Sequence, residues 1–194
     1  LANGTLLVGS IKGLRSVAPQ GSGFDLIASG SADLDQAWVA HLMTSHTDRV
    51  LACTNAGLFE LDTAGKVLER WWTGAPEHDP HRFPTDDIRY AYMDSTGLYW
   101  LATGSQGLLR WDRARGRIRS IDRKQGLPTT SIHAIYPDNH GMLWMPSDNG
   151  IVRYAPRTGQ VKVFTTADGT GFDEFNRLSH AQGPDGRLYF GGLN

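Results

Sequence analysis

Apolar residues in this chain alternate with polar ones over short runs, and they never hold a 3.6-residue period across the dozen residues a helix needs. The runs "IRYAYM" from Ile88, "IHAIYP" from Ile132 and "VLERW" from Val67 change side at every step, and compact apolar runs such as "LYWLA" from Leu98 sit between them. Clusters of Gly, Asp, Asn and Pro bound each run. This pattern predicts short strands joined by tight turns, and hence an all-β chain.

The runs recur. "GTLLVGSIKG" from Gly4, "DRVLACTNAG" from Asp48, "GLYWLATGSQG" from Gly97, "GMLWMPSDNG" from Gly141 and "GRLYFGGLN" from Gly186 share one template of turn, apolar run and polar turn. In the first four, the closing Gly opens a second apolar run: "GLRSV", "GLFELD", "GLLRWD" and "GIVRYA". Those glycines stand at 13, 57, 107 and 150, spaced by 44, 50 and 43 residues. Upstream lies an alternating run ending in Asp-x-x-Gly, as in "IRYAYMDSTG" and "IHAIYPDNHG", with "GPDG" in the last copy and a weaker "SHTD" in the second. Downstream come the turns "DTAGK", "DRARGR" and "APRTGQ", each followed by a last strand. Each unit therefore reads as strands A, B, C and D of a four-stranded antiparallel blade, and the period is that of a β-propeller.

The order of the runs places strands B, C and D of one blade first, then three full blades, then A and B of another, so that residues 1–194 form a partial propeller. A ring of about seven blades at roughly 45 residues each would need on the order of 315 residues. The expectation is a fragment of a seven-bladed ring.

Charge narrows the function. Lys and Arg number 19 and Asp and Glu 20, a formal charge of -1, which gives no electrostatic reason to expect nucleic acid as a partner. The single cysteine, Cys53, excludes a disulfide framework within the chain and sits in an apolar run where an inert buried thiol is the default. The apolar runs are far shorter than the roughly 18 residues of a membrane-spanning helix. The start, "LANGTLLVGS", lacks the basic opening and small-residue cleavage site of a signal peptide, so a targeting element is expected upstream.

"GLPTTSIHAIYPDNHGMLWMPSDNGIVRYAPRTGQVKVFTTADG" resembles the two-component regulator propeller repeat, with its Gly-Leu-Pro lead, Asp-x-x-Gly turn, Leu-Trp run and Asn-Gly turn before an aromatic residue. "DSTGLYWLATGSQGLLRWD" is a second match, residues 37–62 a degraded third, and "GFDEFNRLSHAQGPDGRLYFGGLN" is similar to the last blade of such propellers. The turns "TNAG" and "SIKG" depart from the pattern. The resemblance implies the periplasmic sensor region of a bacterial inner-membrane receptor, with a histidine kinase or a GGDEF-type diguanylate cyclase on the cytoplasmic side. It implies a small-molecule or oligosaccharide ligand, membrane contact only through downstream segments, and a homodimer. No cofactor is expected.

In propellers of this strand order the D-to-A connections and B-to-C turns gather at one end of the blades, where polar groups from several blades converge. The B-to-C turns offer Asn55, Ser105, Gln106, Asp148 and Asn149, and the D-to-A connections offer Asp86, Asp87, Arg89, Thr130, Ser131, His133, Asp173, Asn176 and Arg177. Ligand contact is assigned first to Asp87, Arg89, Ser105, Gln106, Thr130, His133, Asp148, Asn149, Asn176 and Arg177. Turn chemistry is the competing role for each, as Asp148-Asn149-Gly150 shows. Trp100 and Trp144 hold equivalent B-strand positions that suit a sugar ring, but their repetition favours core packing. The pair Trp71-Trp72 offers one ring to the same end.

The insertion "TGAPEHDPHRFPTDD" sets Glu77, His78, Asp79 and His81 close in sequence. A Pro-bounded loop without a strand to fix ligands favours a solvated loop and a candidate lid over a metal site. There is no nucleophile elbow and no phosphate-cradling glycine loop, so no catalytic residue or metal ligand is assigned. A ligand-sensing propeller is thus weighed against a propeller lyase or hydrolase using His133 or His180 as base, and against a protein-interaction scaffold.

Overall fold

The computed structural model describes residues 6–17, 23, 25–45 and 49–193. The template's start at Gly4, the turn residues 46–48 and Asn194 lie outside the described residues. The chain divides into two compact units, Leu1–Ala91 and Tyr92–Asn194.

The first unit opens with a three-stranded antiparallel sheet, β1 (Leu6–Gly9), β2 (Leu14–Val17) and β3 (Asp25–Leu26). A second sheet follows in sequential order: β4 (Val39–Thr44), β5 (Val50–Thr54), β6 (Gly57–Leu61) and β7 (Val67–Trp71). Every residue of β5 and β6 is buried, and all but Thr54 and Glu60 are apolar or glycine. Leu14, Ile27, Leu34, Val39, Val50, Ala52, Phe59 and Leu61 form one continuous core.

Sequence periodicity predicts no helix, yet Ala32–Gln36 forms a one-turn helix, α1. Its causes are local. The Ser31 side chain caps Leu34 N, Asp33 and Asp35 occupy the first turn, and Asp35 accepts from the Ser29 hydroxyl at 2.7 Å, while Leu34 alone is fully buried.

The boundary between units falls within β8 (Ile88–Met93), which heads the sheet completed by β9 (Tyr99–Thr103), β10 (Leu108–Asp112) and β11 (Arg117–Ile121). The second unit continues with β12 (Tyr136–Pro137), β13 (Leu143–Ser147), β14 (Gly150–Tyr154) and β15 (Val161–Phe164), then the pair β16 (Phe175–Gln182) and β17 (Leu188–Gly192). Neighbouring strands among the described residues pair antiparallel. The fold is all-β, built of propeller blades.

One feature recurs in two of the blades and sets the geometry of their A-to-B turns. Asp94 accepts from Thr96 N, Leu98 N and the Trp100 indole, the last at 2.8 Å. Asp138 does the same for His140 N, Met142 N and the Trp144 indole, also at 2.8 Å. The Asp-x-x-Gly motif is therefore an Asx turn that also anchors the tryptophan of the following strand, and Trp100 is only 2 % exposed. Both indoles serve packing.

The run "IHAIYPDNHG" does not form the continuous strand its alternation predicts. Ile132 bridges to Ser147 and Tyr136 pairs with Trp144, so the register slips by one residue between them. Pro146, on the facing strand, lacks the N–H that would continue the ladder, and its carbonyl accepts from His133 N at 3.0 Å instead. A register shift occurs at the matching place in β4, between Val39 and His41.

Candidate functional site

At the end of each sheet where B turns into C, a hydroxyl closes the turn. Ser10, Thr54, Thr103 and Ser147 donate from their side chains to the carbonyls of Gly13, Gly57, Gly107 and Gly150 at 2.9, 2.7, 2.8 and 2.7 Å. Thr54, Thr103 and Ser147 are completely buried. The N–H of each glycine then reaches the connection that follows its own blade: Gly13 donates to Ala37 O, Gly57 to Asp86 O, Gly107 to Thr130 O and Gly150 to Asp173 O. Glycine is required because φ is positive, and at Gly57, Gly107 and Gly150 a Cβ would strike the carbonyl oxygens of Trp71, Ile121 and Phe164. These hydroxyls were not among the expected site residues. Their recurrence ahead of each glycine, in "CTNAG", "TGSQG" and "PSDNG", was the available signal.

The connections carry their own supports. Asp86 accepts from Thr73 N and Oγ1 at 2.8 and 2.7 Å, and Asp173 accepts from Thr166 N and Oγ1 at 2.6 and 3.2 Å. Both carboxylates therefore brace the loop rather than await a ligand. Thr130 contributes its carbonyl, and Ser131 N donates to Thr129 Oγ1 at 3.2 Å.

One A-strand position stands out. The residue following the buried Val39, Ile88, Ile132 and Phe175 is Ala40 in the second repeat, then Arg89, His133 and Asn176. In the first unit, Arg89 is 14 % exposed at its side chain and lies 3.3 Å from Asp87. In the second unit, His133 is 3 % exposed, with Nε2 3.0 Å from an oxygen of Asp148, whose side chain is 49 % exposed. The folded chain thus unites Arg89 with Asp87 and His133 with Asp148. Asn55, at the place of Asp148 in its own repeat, likewise ties the turn to the A strand, accepting from Trp38 N at 2.8 Å.

The remaining expected residues are less engaged with one another. Ser105 and Asn149 are exposed at the turn tips, and the backbones of Gln106 and Asn149 donate to Thr103 Oγ1 and Ser147 Oγ at 2.9 and 3.2 Å. Asn176 accepts from Leu178 N at 2.9 Å. Half-buried Arg177 makes a backbone hydrogen bond to His180, whose Nδ1 is 2.8 Å from the Tyr136 hydroxyl. Burial pushes the pKa of His180 below its usual value, and the Arg177 bond only partly opposes this. The imidazole is thus neutral at neutral pH.

The tip of the insertion is a solvated loop, with Glu77 and His78 exposed, but its two ends are anchored. Phe83 and Ala75 are buried, Trp72 N donates to His81 O, Phe83 N donates to Trp72 O, and Arg82 Nη1 donates to Ala75 O at 2.6 Å. The segment folds back on β7, and Trp71 is covered by His81 and Phe83. Trp72 packs against Arg70, whose guanidinium lies 4.9 Å from its ring. Neither tryptophan is offered freely to a ligand. His81 Nδ1 contacts Asp79 at 2.8 Å, but no group of three or more metal-ligating side chains gathers among the described residues. Cys53 is fully buried, and burial pushes its thiol far above the usual range. No described helix is long and apolar enough to cross a membrane.

No protein-family model matches the chain. A histidine kinase P4 of Formosa agariphila is 30 % identical over 67 residues, 34 % of this chain and 5 % of the kinase. Among solved structures, the extracellular domain of a hybrid two-component system from B. thetaiotaomicron superposes with a TM-score of 0.78 at 18 % identity, over 98 % of this chain and 25 % of that one. Virginiamycin B lyase from Staphylococcus aureus superposes with a TM-score of 0.67 at 15 % identity, over all of this chain and 61 % of the lyase. The chain thus spans about a quarter of the extracellular domain it matches and a twentieth of the kinase. The propeller fold is common to both structures, and the resemblance to two-component regulator propellers read from the repeats agrees with the first.

Proposed function

We propose that this chain is part of a ligand-sensing extracytoplasmic propeller of a bacterial transmembrane signalling receptor, and that it recognises an oligosaccharide or a similar hydroxyl-rich small molecule. The ligand binds in the second unit, where a B-to-C turn meets the A strand at His133 and Asp148. One observation carries this reading: the same A-strand position is polar in three successive repeats, and in two of them the side chain is largely buried against a carboxylate, as Arg89 against Asp87 and His133 against Asp148. A buried polar group at a recurring core-side position is costly to keep unless it orients something.

The likeness to extracellular domains of two-component systems supports placement outside the cytoplasm. Signalling then requires that the ligand bind one of two arrangements of the receptor better than the other, a population shift read out by downstream segments. The His133 imidazole can donate to a ligand hydroxyl, and Asp148, half exposed, is an acceptor for sugar hydroxyls.

Calorimetric titration with an oligosaccharide library tests this. A binder found for the native chain should lose at least about tenfold in affinity in His133→Ala and in Asp148→Asn, since a hydrogen bond to a charged group is worth about 1.5–3 kcal/mol. Silence across the library, or an affinity indifferent to both substitutions, overturns it.

A further inference from the structure

The outer hairpin of the third repeat carries a concentration of charge that recognition at the turn end does not use. Strands β10 and β11 set Arg110 directly opposite Arg119 and Asp112 opposite Arg117. Paired residues share a face, and alternate residues along a strand return to it, so all four side chains leave the sheet on one side. Trp100, the partner of Arg110 in β9, lies on that side too, and Tyr154 of β14 covers it with ring centroids 5.9 Å apart. Burial raises the pKa of the Tyr154 phenol, and the charges of Arg119 and Arg110 pull it back down, so both guanidiniums bear on the same spot.

An open cleft of about 650 Å³ runs along this hairpin, lined by Arg110, Asp112, Arg115, Arg117 and Arg119. Its one acid is engaged: Asp112 accepts from the Arg115 guanidinium at 2.9 Å and from Arg115 N at 3.2 Å. Among the described residues no ion pair engages Arg110, Arg117 or Arg119. Like charges directly opposite on a sheet repel, and the single carboxylate of Asp112, already bonded to Arg115, faces four guanidiniums along the cleft. The cations are arginines throughout, whose planar forks match two oxygens of a tetrahedral anion at once, as a lysine cannot.

We infer that this cleft binds an oxyanion, a phosphate or sulfate ester held by the forks of Arg110, Arg117 and Arg119. The anion cancels the repulsion between the facing arginines.

Thermal unfolding of the chain in pyrophosphate, against sodium chloride at equal ionic strength, tests the site. Pyrophosphate should raise the Tm well beyond chloride. The double variant Arg110→Gln/Arg119→Gln should start from a higher Tm without anion and lose the pyrophosphate response, with affinity falling about tenfold or more for each guanidinium removed. Lys66→Gln, an exposed cation in the other unit, should retain the full response. Equal effects of the two salts on the native chain, or a pyrophosphate response that survives in the double variant, overturns the site. Co-sedimentation with phosphatidylglycerol vesicles, against phosphatidylcholine, identifies the source. Arginine-dependent capture assigns the anion to a lipid headgroup, pyrophosphate binding without capture assigns it to a soluble ester, and either upholds the cleft.

Discussion

Single residues fix the joints between strands, and their contributions separate cleanly. Gly141 and Gly150 both have positive φ, 76° and 89°, but a Cβ at Gly141 meets open space whereas at Gly150 it meets the Phe164 carbonyl and Val163. Gly141→Ala should cost about 1 kcal/mol, the strain of the left-handed conformation alone, and Gly150→Ala should cost about 3 kcal/mol or more. Chemical denaturation of the two variants checks this, and equal costs would show that the close approach is easily relaxed. Asp138 makes a second case. Burial alone would raise its pKa, but hydrogen bonds from the Trp144 indole, Met142 N and His140 N outweigh burial and hold it below the usual carboxylate value. A carboxyl depressed in the folded state stabilises the fold above its unfolded pKa of about 3.9, and that contribution fades as pH falls through the lower folded value. The Tm should therefore drop as the solution is acidified below about pH 4, and Trp144→Phe should flatten that drop while costing about 1 kcal/mol at neutral pH. Melts across a pH series decide it; an unaltered acid limb in the variant would remove Asp138 from the account.

Elements were legible in the sequence where one strand's own pattern sufficed. The closing glycines at 57, 107 and 150 and the Asp-x-x-Gly turns at Asp94 and Asp138 located the B and C strands, because those signals are local and steric. The A strand of the fourth repeat was not legible, since its break lies in the pairing with the strand opposite, as does the matching slip in β4. Nor was the meeting of His133 with Asp148, which lie fifteen residues apart and come together only when the turn folds over the A strand. The anchoring of the insertion is hidden for a related reason. Its prolines and charges advertise a loop, but Phe83 is 2 % exposed and closes over Trp71, with ring centroids 6.3 Å apart. Phe83→Ala should destabilise the first unit by about 3–5 kcal/mol, the usual cost of removing a buried phenyl group. It should also expose the segment around His78 to limited proteolysis, and resistance equal to the native chain would show that the loop is held by its hydrogen bonds alone.

At the scale of the whole molecule, the balanced net charge conceals a strong segregation. Ten of the 19 Lys and Arg residues but only four of the 20 acids fall between positions 108 and 164. The same cross-strand position holds Glu60 facing Glu69, Arg110 facing Arg119, and Arg153 facing Lys162. Glu60 has Arg49 at 3.5 Å and Glu69 has His81 at 3.7 Å, whereas no ion pair among the described residues engages the basic pairs. Added salt shortens the reach of such repulsion, so the Tm should rise from low to moderate sodium chloride, and a fall would mean that attractive pairs dominate. The glycine stitch described above has a different reach. Each closing glycine reaches the next connection through main-chain atoms, so the side chains at the turn tips take no part in that bond. Evolution or an engineer can rewrite those side chains for a new ligand while the joinery stays as it was, and a library randomised at Ser105, Gln106 and Asn149 should yield folded proteins far more often than one randomised at Thr103, Gly107 and Ser147.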